Sequence, residues 1–236
     1  MFYNYRMPER NSELLAPAGP PLPPVPFGLT LALIGLGGFA AITLALLAGG
    51  WLPSLDQNLL DIFRGWEQNA PQWTRVASWI SDINQFVLPL LSLALALYWL
   101  WRRYMRAVTL LLVSGLGGEL LWLAILFAIG RPRPEKVVAL APISLPGFPS
   151  GHAMAVFSLM GLLLYLFYKR IPSRFWRLAA VLGLLVWGLL DGLTRLLLLA
   201  HHFSDILAGY LFGLGVLGLS IWLVDGHLFS ERRESE

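Results

Sequence analysis

Cysteine is absent from the 236 residues. That excludes thiol nucleophiles, disulfides and thiolate metal sites, and it leaves the redox compartment unread. Charge is scarce as well. Asp, Glu, Lys and Arg make up 13% of the chain, against about a quarter in a soluble domain, too little to cover a water-facing globule. With 57% hydrophobic residues and a mean hydropathy of +0.65, the bilayer is the natural solvent. The net charge of +3 is small and calls for no nucleic-acid partner. No apolar core precedes the first long hydrophobic run, so no cleavable signal peptide is expected. Residues 1–26 end instead in a proline-rich stretch, Pro17–Pro26, which reads as an extended spacer. No internal repeat is visible.

What the chain has in abundance is apolar runs. A spanning helix needs about 20 apolar residues, because the hydrocarbon layer is about 30 Å thick and a helix rises about 1.5 Å per residue. Six stretches come near that length: Phe27–Leu52, Phe86–Trp101, Ala107–Ile129, His152–Tyr168, Leu178–Leu199 and Asp205–Val224. They predict an all-α polytopic membrane protein with one membrane domain over residues 27–224 and a short tail, 225–236.

The basic residues orient these spans. Arg6 and Arg10 precede the first; Arg102, Arg103 and Arg106 follow the second; Lys169, Arg170, Arg174 and Arg177 follow the fourth; Arg232 and Arg233 end the chain. With six spans, all four groups share one side, which is then the cytoplasm along with both termini. The first loop on the opposite side, Pro53–Asn84, carries a pattern of its own. Ser54-Leu55-Asp56-Gln57 fits a capping box. Leu55, Leu59, Leu60, Phe63 and Trp66, and then Trp73, Val76, Ile80 and Ile83, recur at helical spacing. Two short amphipathic helices are expected at the membrane interface, with Trp51, Trp66, Trp73 and Trp79 near the headgroups.

Three polar segments converge on that same outer face. Gly130-Arg131-Pro132-Arg133-Pro134-Glu135-Lys136 follows the third span. Pro149-Ser150-Gly151-His152 opens the fourth. Thr194-Arg195, His201 and Asp205 bracket the turn between the fifth and sixth. Arginines on a stiff Arg-Pro-Arg-Pro segment grip phosphate oxygens with planar forks and stay charged at any working pH. Ser150 sits at a helix N-cap, Gly151 lets backbone approach a ligand, and the unpaired N–H groups of the first turn make an anion site. His152 is placed to deliver a proton. His201 can attack phosphorus if one ring nitrogen is held neutral and aimed, with Asp205 near enough to hold the other. Arg195 lies about 9 Å along a helix from His201. Singly, each element has a plainer reading: a helix start, an N-cap pair, interfacial histidines or metal ligands, a stiff basic loop. The order and spacing of the whole set are what point to phosphate chemistry.

That set resembles the type 2 phosphatidic acid phosphatase family, which includes bacterial membrane lipid phosphatases, glucose-6-phosphatase and, as soluble relatives, vanadium haloperoxidases. The family signatures are Lys-x6-Arg-Pro, Pro-Ser-Gly-His and Ser-Arg-x5-His-x3-Asp. The second stands intact at Pro149–His152. The third stands as Thr194-Arg195, His201 and Asp205, with threonine for serine. The first keeps Arg133-Pro134 but has Leu126 where the lysine belongs. The resemblance implies that His201 is the nucleophile and forms a phosphohistidine, that Asp205 orients it, and that His152 protonates the leaving oxygen. Arg133, Arg195, Ser150 and the Gly151 N–H would bind the phosphoryl oxygens. Arg131 or Lys136 is expected to take the place of the missing lysine. It further implies a metal-independent and cofactor-free hydrolase in a bacterial-type cytoplasmic membrane. The substrate would be a lipid phosphate or diphosphate, of the phosphatidylglycerophosphate, undecaprenyl diphosphate or phosphatidate class.

Two carboxylates lie deep in the spans, Glu119 and Asp191, each roughly 15 Å from its helix's outer end. Asp191 precedes Arg195 by four residues, so an intrahelical pair is expected, with Glu119 joining across the bundle to fix Arg195. Two rival functions stay open. A lipid phosphotransferase would use the same nucleophile, and a small transporter would use Glu119, Asp191 and Arg195 as a polar path.

Overall fold

A computed structural model describes residues 24–134 and 145–228. Most of the proline-rich segment, Glu135, Lys136 and the end of the tail lie outside the described residues. Within them the elements are helical: α1 (Pro24–Ala48), α2 (Trp51–Asn69), α3 (Pro71–Trp101), α4 (Met105–Ile129), α5 (Gly151–Arg170), α6 (Arg174–Leu197) and α7 (Phe203–Gly226). All except α2 are long and apolar enough to cross a membrane. The fold is all-α with six spans, as composition and hydropathy predict.

The boundaries differ from expectation where backbone chemistry outweighs hydropathy. The first span ends at Ala48, not Leu52. Gly49 and Gly50 follow with φ of 75° and 81°, a left-handed turn that glycine adopts freely, and α2 starts at once at Trp51. Ser54 therefore lies inside the first turn of α2, where its hydroxyl donates to the Gly50 carbonyl at 3.0 Å. The capping box expected over Ser54–Gln57 does not form. α2 is amphipathic all the same. Leu52, Asp56 and Leu60 are buried at intervals of four, while Trp51, Ile62 and Trp66 are exposed.

The second expected interfacial helix is not a separate element. It is the beginning of span two, which starts at Pro71 and runs unbroken to Trp101. Pro71 suits a first helical turn because its missing N–H has no partner there anyway. A wider π-turn at Ile83–Val87 lies just before Pro89, which cannot donate to the carbonyl four residues back. The helix thus continues through Asp82, Asn84 and Gln85, the residues that interrupt the apolar run.

α7 is the central and most buried span, with α1 packed along it. At one end Trp99, Leu110, Leu162, Leu166, Ile221 and Val224 form a buried core. Beside it, Arg106 donates to Asp225 through Nε and Nη2 at 2.6 and 2.5 Å, and the Tyr165 hydroxyl donates to the same carboxylate at 2.6 Å. This charge pair joins α4, α5 and α7. At the other end Met154, Phe212 and Val216 pack against Trp122, Ile125 and Phe39. There α7 and α5 touch so closely that a Cβ on Gly209 would sit 2.5 Å from the Ser150 carbonyl oxygen. Tight turns between α3 and α4, α5 and α6, and α6 and α7 reverse the chain. The ends of α4 and α6 are thereby gathered with the starts of α5 and α7.

Candidate active site

The polar segments meet where those four helix ends converge. Gly130–Pro134 leaves α4 and pairs back on the segment before α5, the Gly147 N–H donating to the Arg131 carbonyl at 2.7 Å. The Ser150 N–H donates to the Asp205 carbonyl at 2.9 Å, and the Trp122 indole N–H donates to the Pro149 carbonyl at 2.9 Å. The start of α5 is thus tied to α7 on one side and α4 on the other. Gly151 has a packing reason as well as a chemical one, since a Cβ there would lie 2.9 Å from the Trp122 ring.

His201 is 2% exposed. Its Nδ1 lies 2.8 Å from the Gly147 carbonyl oxygen. A carbonyl only accepts, so this contact places the proton on Nδ1 and leaves the lone pair on Nε2. Asp205 Oδ2 is 3.6 Å from Nδ1, too long for a hydrogen bond and close enough for charge to act. Burial holds the His201 pKa below its ordinary 6.5, the Arg133 and Arg195 charges push the same way, and Asp205 opposes them. A neutral imidazole with a fixed tautomer is what a nucleophilic histidine requires. The turn that carries it is strained: Leu199, buried, has a φ of 52°, a left-handed conformation that costs a branched side chain about 1–2 kcal/mol.

Around His201 stand the other expected groups. His152 begins α5, and Arg133, Arg195 and His201 all lie within electrostatic reach of it. Its Nε2 is buried with no partner among the described residues. Arg195 is 5% exposed; Nε and Nη2 both lean on the Thr194 hydroxyl at 3.2 Å, which itself donates to the Asp191 carbonyl at 2.6 Å. Arg133 is anchored by Nε to the Leu145 carbonyl at 3.0 Å. Burial lowers its pKa while Asp205 raises it, and an arginine remains charged either way. Ser150 occupies the N-cap position of α5 without capping it. Its hydroxyl is buried and has no partner among the described residues. Arg133, Arg195 and His152 thus stand within electrostatic reach of His201, and the Ser150 hydroxyl, two residues before His152, has no partner among the described residues. The pattern fits a tetrahedral oxyanion.

Other expected residues find different partners. Arg131 Nη1 donates to Asp205 and to Ser204 Oγ, and Nη2 donates to Asp56 at 2.8 Å, so both terminal nitrogens have carboxylate and hydroxyl partners. Glu119 is exposed on α4 and forms no cluster with Arg195. The carboxylates acting on Arg195 are Asp191 and, from α3, Asp82. A direct link from Glu119 to Arg195 is thus not found among the described residues. Lys136, the other candidate for the missing cation, lies outside the described residues, and Leu126 is fully buried.

Some site residues are not evident from the sequence. Asp56 and Ser204 are buried parts of the site, as is the Gly147 carbonyl. Asp56 left a signal: a carboxylate midway between Leu52 and Leu60, four residues from each, lies on the apolar stripe of an amphipathic helix.

Six spans and a buried histidine within electrostatic reach of two guanidiniums fit a membrane-embedded phosphatase. The comparisons agree. Residues 103–228 match the PAP2 superfamily, and the chain belongs to that family. A solved structure similar to it is the transmembrane PAP2-type phosphatidylglycerolphosphate phosphatase from Bacillus subtilis. The two share 26% sequence identity at a TM-score of 0.64, over 87% of this chain and 96% of that one. No curated protein sequence matches. The protein is an integral membrane, metal-independent phosphatase acting on lipid.

Proposed function

We propose that the protein hydrolyses a lipid phosphomonoester or diphosphate at the outer face of a cytoplasmic membrane, through a phosphohistidine on His201. The observation that carries this is the lock on the ring: His201 Nδ1 lies 2.8 Å from the Gly147 carbonyl oxygen, while Arg133, Arg195 and His152 stand within electrostatic reach of the imidazole. In the first half-reaction His201 Nε2 attacks phosphorus. A P–N bond forms, the P–O bond to the lipid breaks, and His152 supplies the proton that the leaving oxygen takes. In the second, water attacks the phosphohistidine, His152 accepts its proton, and the P–N bond breaks to release phosphate and regenerate the imidazole. Arg133, Arg195, Ser150 and the Gly151 N–H neutralise the charge that builds on the equatorial oxygens. Thr194 and Asp191 support Arg195, and Asp205 stabilises the charge His201 acquires.

The outward orientation is supported by the basic residues. Arg102 and Arg103 lie in the turn between α3 and α4, Lys169 and Arg170 end α5, and Arg174 and Arg177 fall in the first turn of α6, all at the end of the bundle opposite the site, which the positive-inside tendency assigns to the cytoplasm. The likeness to a phosphatidylglycerolphosphate phosphatase favours that substrate class; undecaprenyl diphosphate and phosphatidate fit the same clamp. The test is phosphate release in detergent from a panel of these lipids, with His201→Ala beside the wild type. Release by the wild type and none by the variant is expected. Equal turnover by the two would remove the nucleophile assignment.

A further inference from the structure

We infer that Asp56, on the interfacial helix α2, is a positioning residue for the nucleophile, acting through Arg131 and Asp205. The inference deepens the histidine-nucleophile reading above and rests on it.

Asp56 is buried, and both its oxygens are occupied. Oδ1 accepts the Ser204 N–H at 2.9 Å; Oδ2 accepts the Ser204 hydroxyl at 2.5 Å and Arg131 Nη2 at 2.8 Å. Arg131 then turns its other terminal nitrogen to Asp205 Oδ1 and to Ser204 Oγ, the latter at 2.7 Å. Asp205 Oδ2 accepts the His202 N–H at 2.9 Å and faces His201 Nδ1. Hydrogen bonds therefore run from Asp56 through Arg131 to Asp205, whose carboxylate stands 3.6 Å from His201 Nδ1 and acts on it through charge.

Two physical consequences follow. Asp56 supplies a negative charge to the first-turn N–H of Ser204 at the start of α7, where the helix dipole favours it. That charge and those bonds hold in place the turn carrying His201 and Asp205. The planar guanidinium of Arg131 is also held from both sides, so its direction toward Asp205 is fixed. With Asp56 and Asp205 each carrying one negative charge and Arg131 one positive, the cluster presents a single net negative charge to His201. Neutralising Asp56 would bring that sum to zero, and the electrostatic hold on a positively charging imidazole would weaken. It would also leave Arg131 with one carboxylate in place of two, free to draw Asp205 away from the histidine.

The test uses the full chain in detergent and compares Asp56→Asn, Asp56→Glu, Arg131→Gln and the double variant D56N/R131Q. For phosphate release, D56N is expected to lower kcat about tenfold to a hundredfold per folded molecule, with KM within about twofold of wild type. Asp56→Glu should recover part of that loss. The double variant should lose clearly less than the product of the single losses, because the pair acts as one unit. A second readout does not depend on turnover. In 15N-histidine spectra, with the His201 resonance identified by its absence in His201→Ala, D56N should shift the His201 ring signals. Wild-type kcat in D56N with an unmoved His201 signal overturns the inference. So does a loss of activity that only tracks loss of folded protein, or losses that multiply independently. If the wild type releases phosphate from none of the lipids, the proposed function falls, and the spectra still decide whether Asp56 positions His201.

Discussion

Ser150→Ala is expected to leave the fold as stable as the wild type, or slightly more so, while removing most of the activity. The Ser150 hydroxyl is buried and bonds to nothing among the described residues, and a buried hydroxyl without a partner costs about 1–3 kcal/mol relative to water. The contacts that hold this residue are made by its backbone: the N–H to the Asp205 carbonyl at 2.9 Å and the carbonyl to the Met154 N–H at 3.1 Å. Alanine keeps both. It removes one oxygen and leaves too small a gap to matter, so a gain of up to about 1 kcal/mol is expected, a rise of roughly 2–4 °C in unfolding midpoint. The hydroxyl belongs instead to the phosphoryl oxygen that occupies the clamp during turnover. Losing one such donor lowers kcat by about 10²–10³. Thermal unfolding in detergent and phosphate release on the same preparation measure the two effects. A midpoint that falls by several degrees, with activity lost in proportion, would show that the hydroxyl holds the fold, and the reasoning would be refuted. So would an unchanged kcat.

Three further outcomes are expected. Because burial keeps the His201 pKa below 6.5, the reactive neutral form persists as pH falls through 6.5. The acid limb of kcat/KM should therefore begin below that value, and a limb at or above 6.5 would contradict the assigned tautomer and burial. The same depression links to stability: as pH drops below 6.5 the unfolded chain takes up the proton first, so His201's contribution is present above 6.5 and is lost down to its folded pKa. Gly209→Ala should push the start of α5 from α7, since the new Cβ would meet the Ser150 carbonyl at 2.5 Å; overpacking of this kind costs about 1–3 kcal/mol, and kcat should fall with the unfolding midpoint. Arg106→Gln leaves Asp225 buried without its cation and should cost about 3–5 kcal/mol of stability, with KM of the surviving folded enzyme unchanged because the pair lies at the end of the bundle away from the site.

The spans and the three polar segments were legible because each rests on a short-range rule. Apolar length gave the spans, and turn residues at helix starts gave the Pro149–His152 and Thr194–Asp205 segments. What escaped depends on partners distant in sequence or on local polarity that hid a continuous helix. Ser54, Asp56 and Gln57 have the composition of a helix cap, yet Gly49 and Gly50 turn the chain earlier and place Asp56 on the buried face. Asp82, Asn84 and Gln85 lower the hydropathy enough to suggest a break, while the backbone passes through them on a π-turn. Arg131 and Arg133 look equivalent in an Arg-Pro-Arg-Pro segment. Only the fold shows that the first is engaged by Asp56 and Asp205 and that the second is anchored at Leu145 beside the site. Glu119 and Asp191 sit at similar depth, but helix rotation sends one to the surface and the other beside Arg195.

The central claim is that His201 accepts the phosphoryl group. Incubating the protein with a lipid carrying radiolabelled phosphate, quenching in alkali and mapping the label by mass spectrometry tests this most directly. Alkali-stable label on residue 201, absent from His201→Ala, is the predicted result. Label on His152 or His202, or steady turnover by His201→Ala, would contradict it.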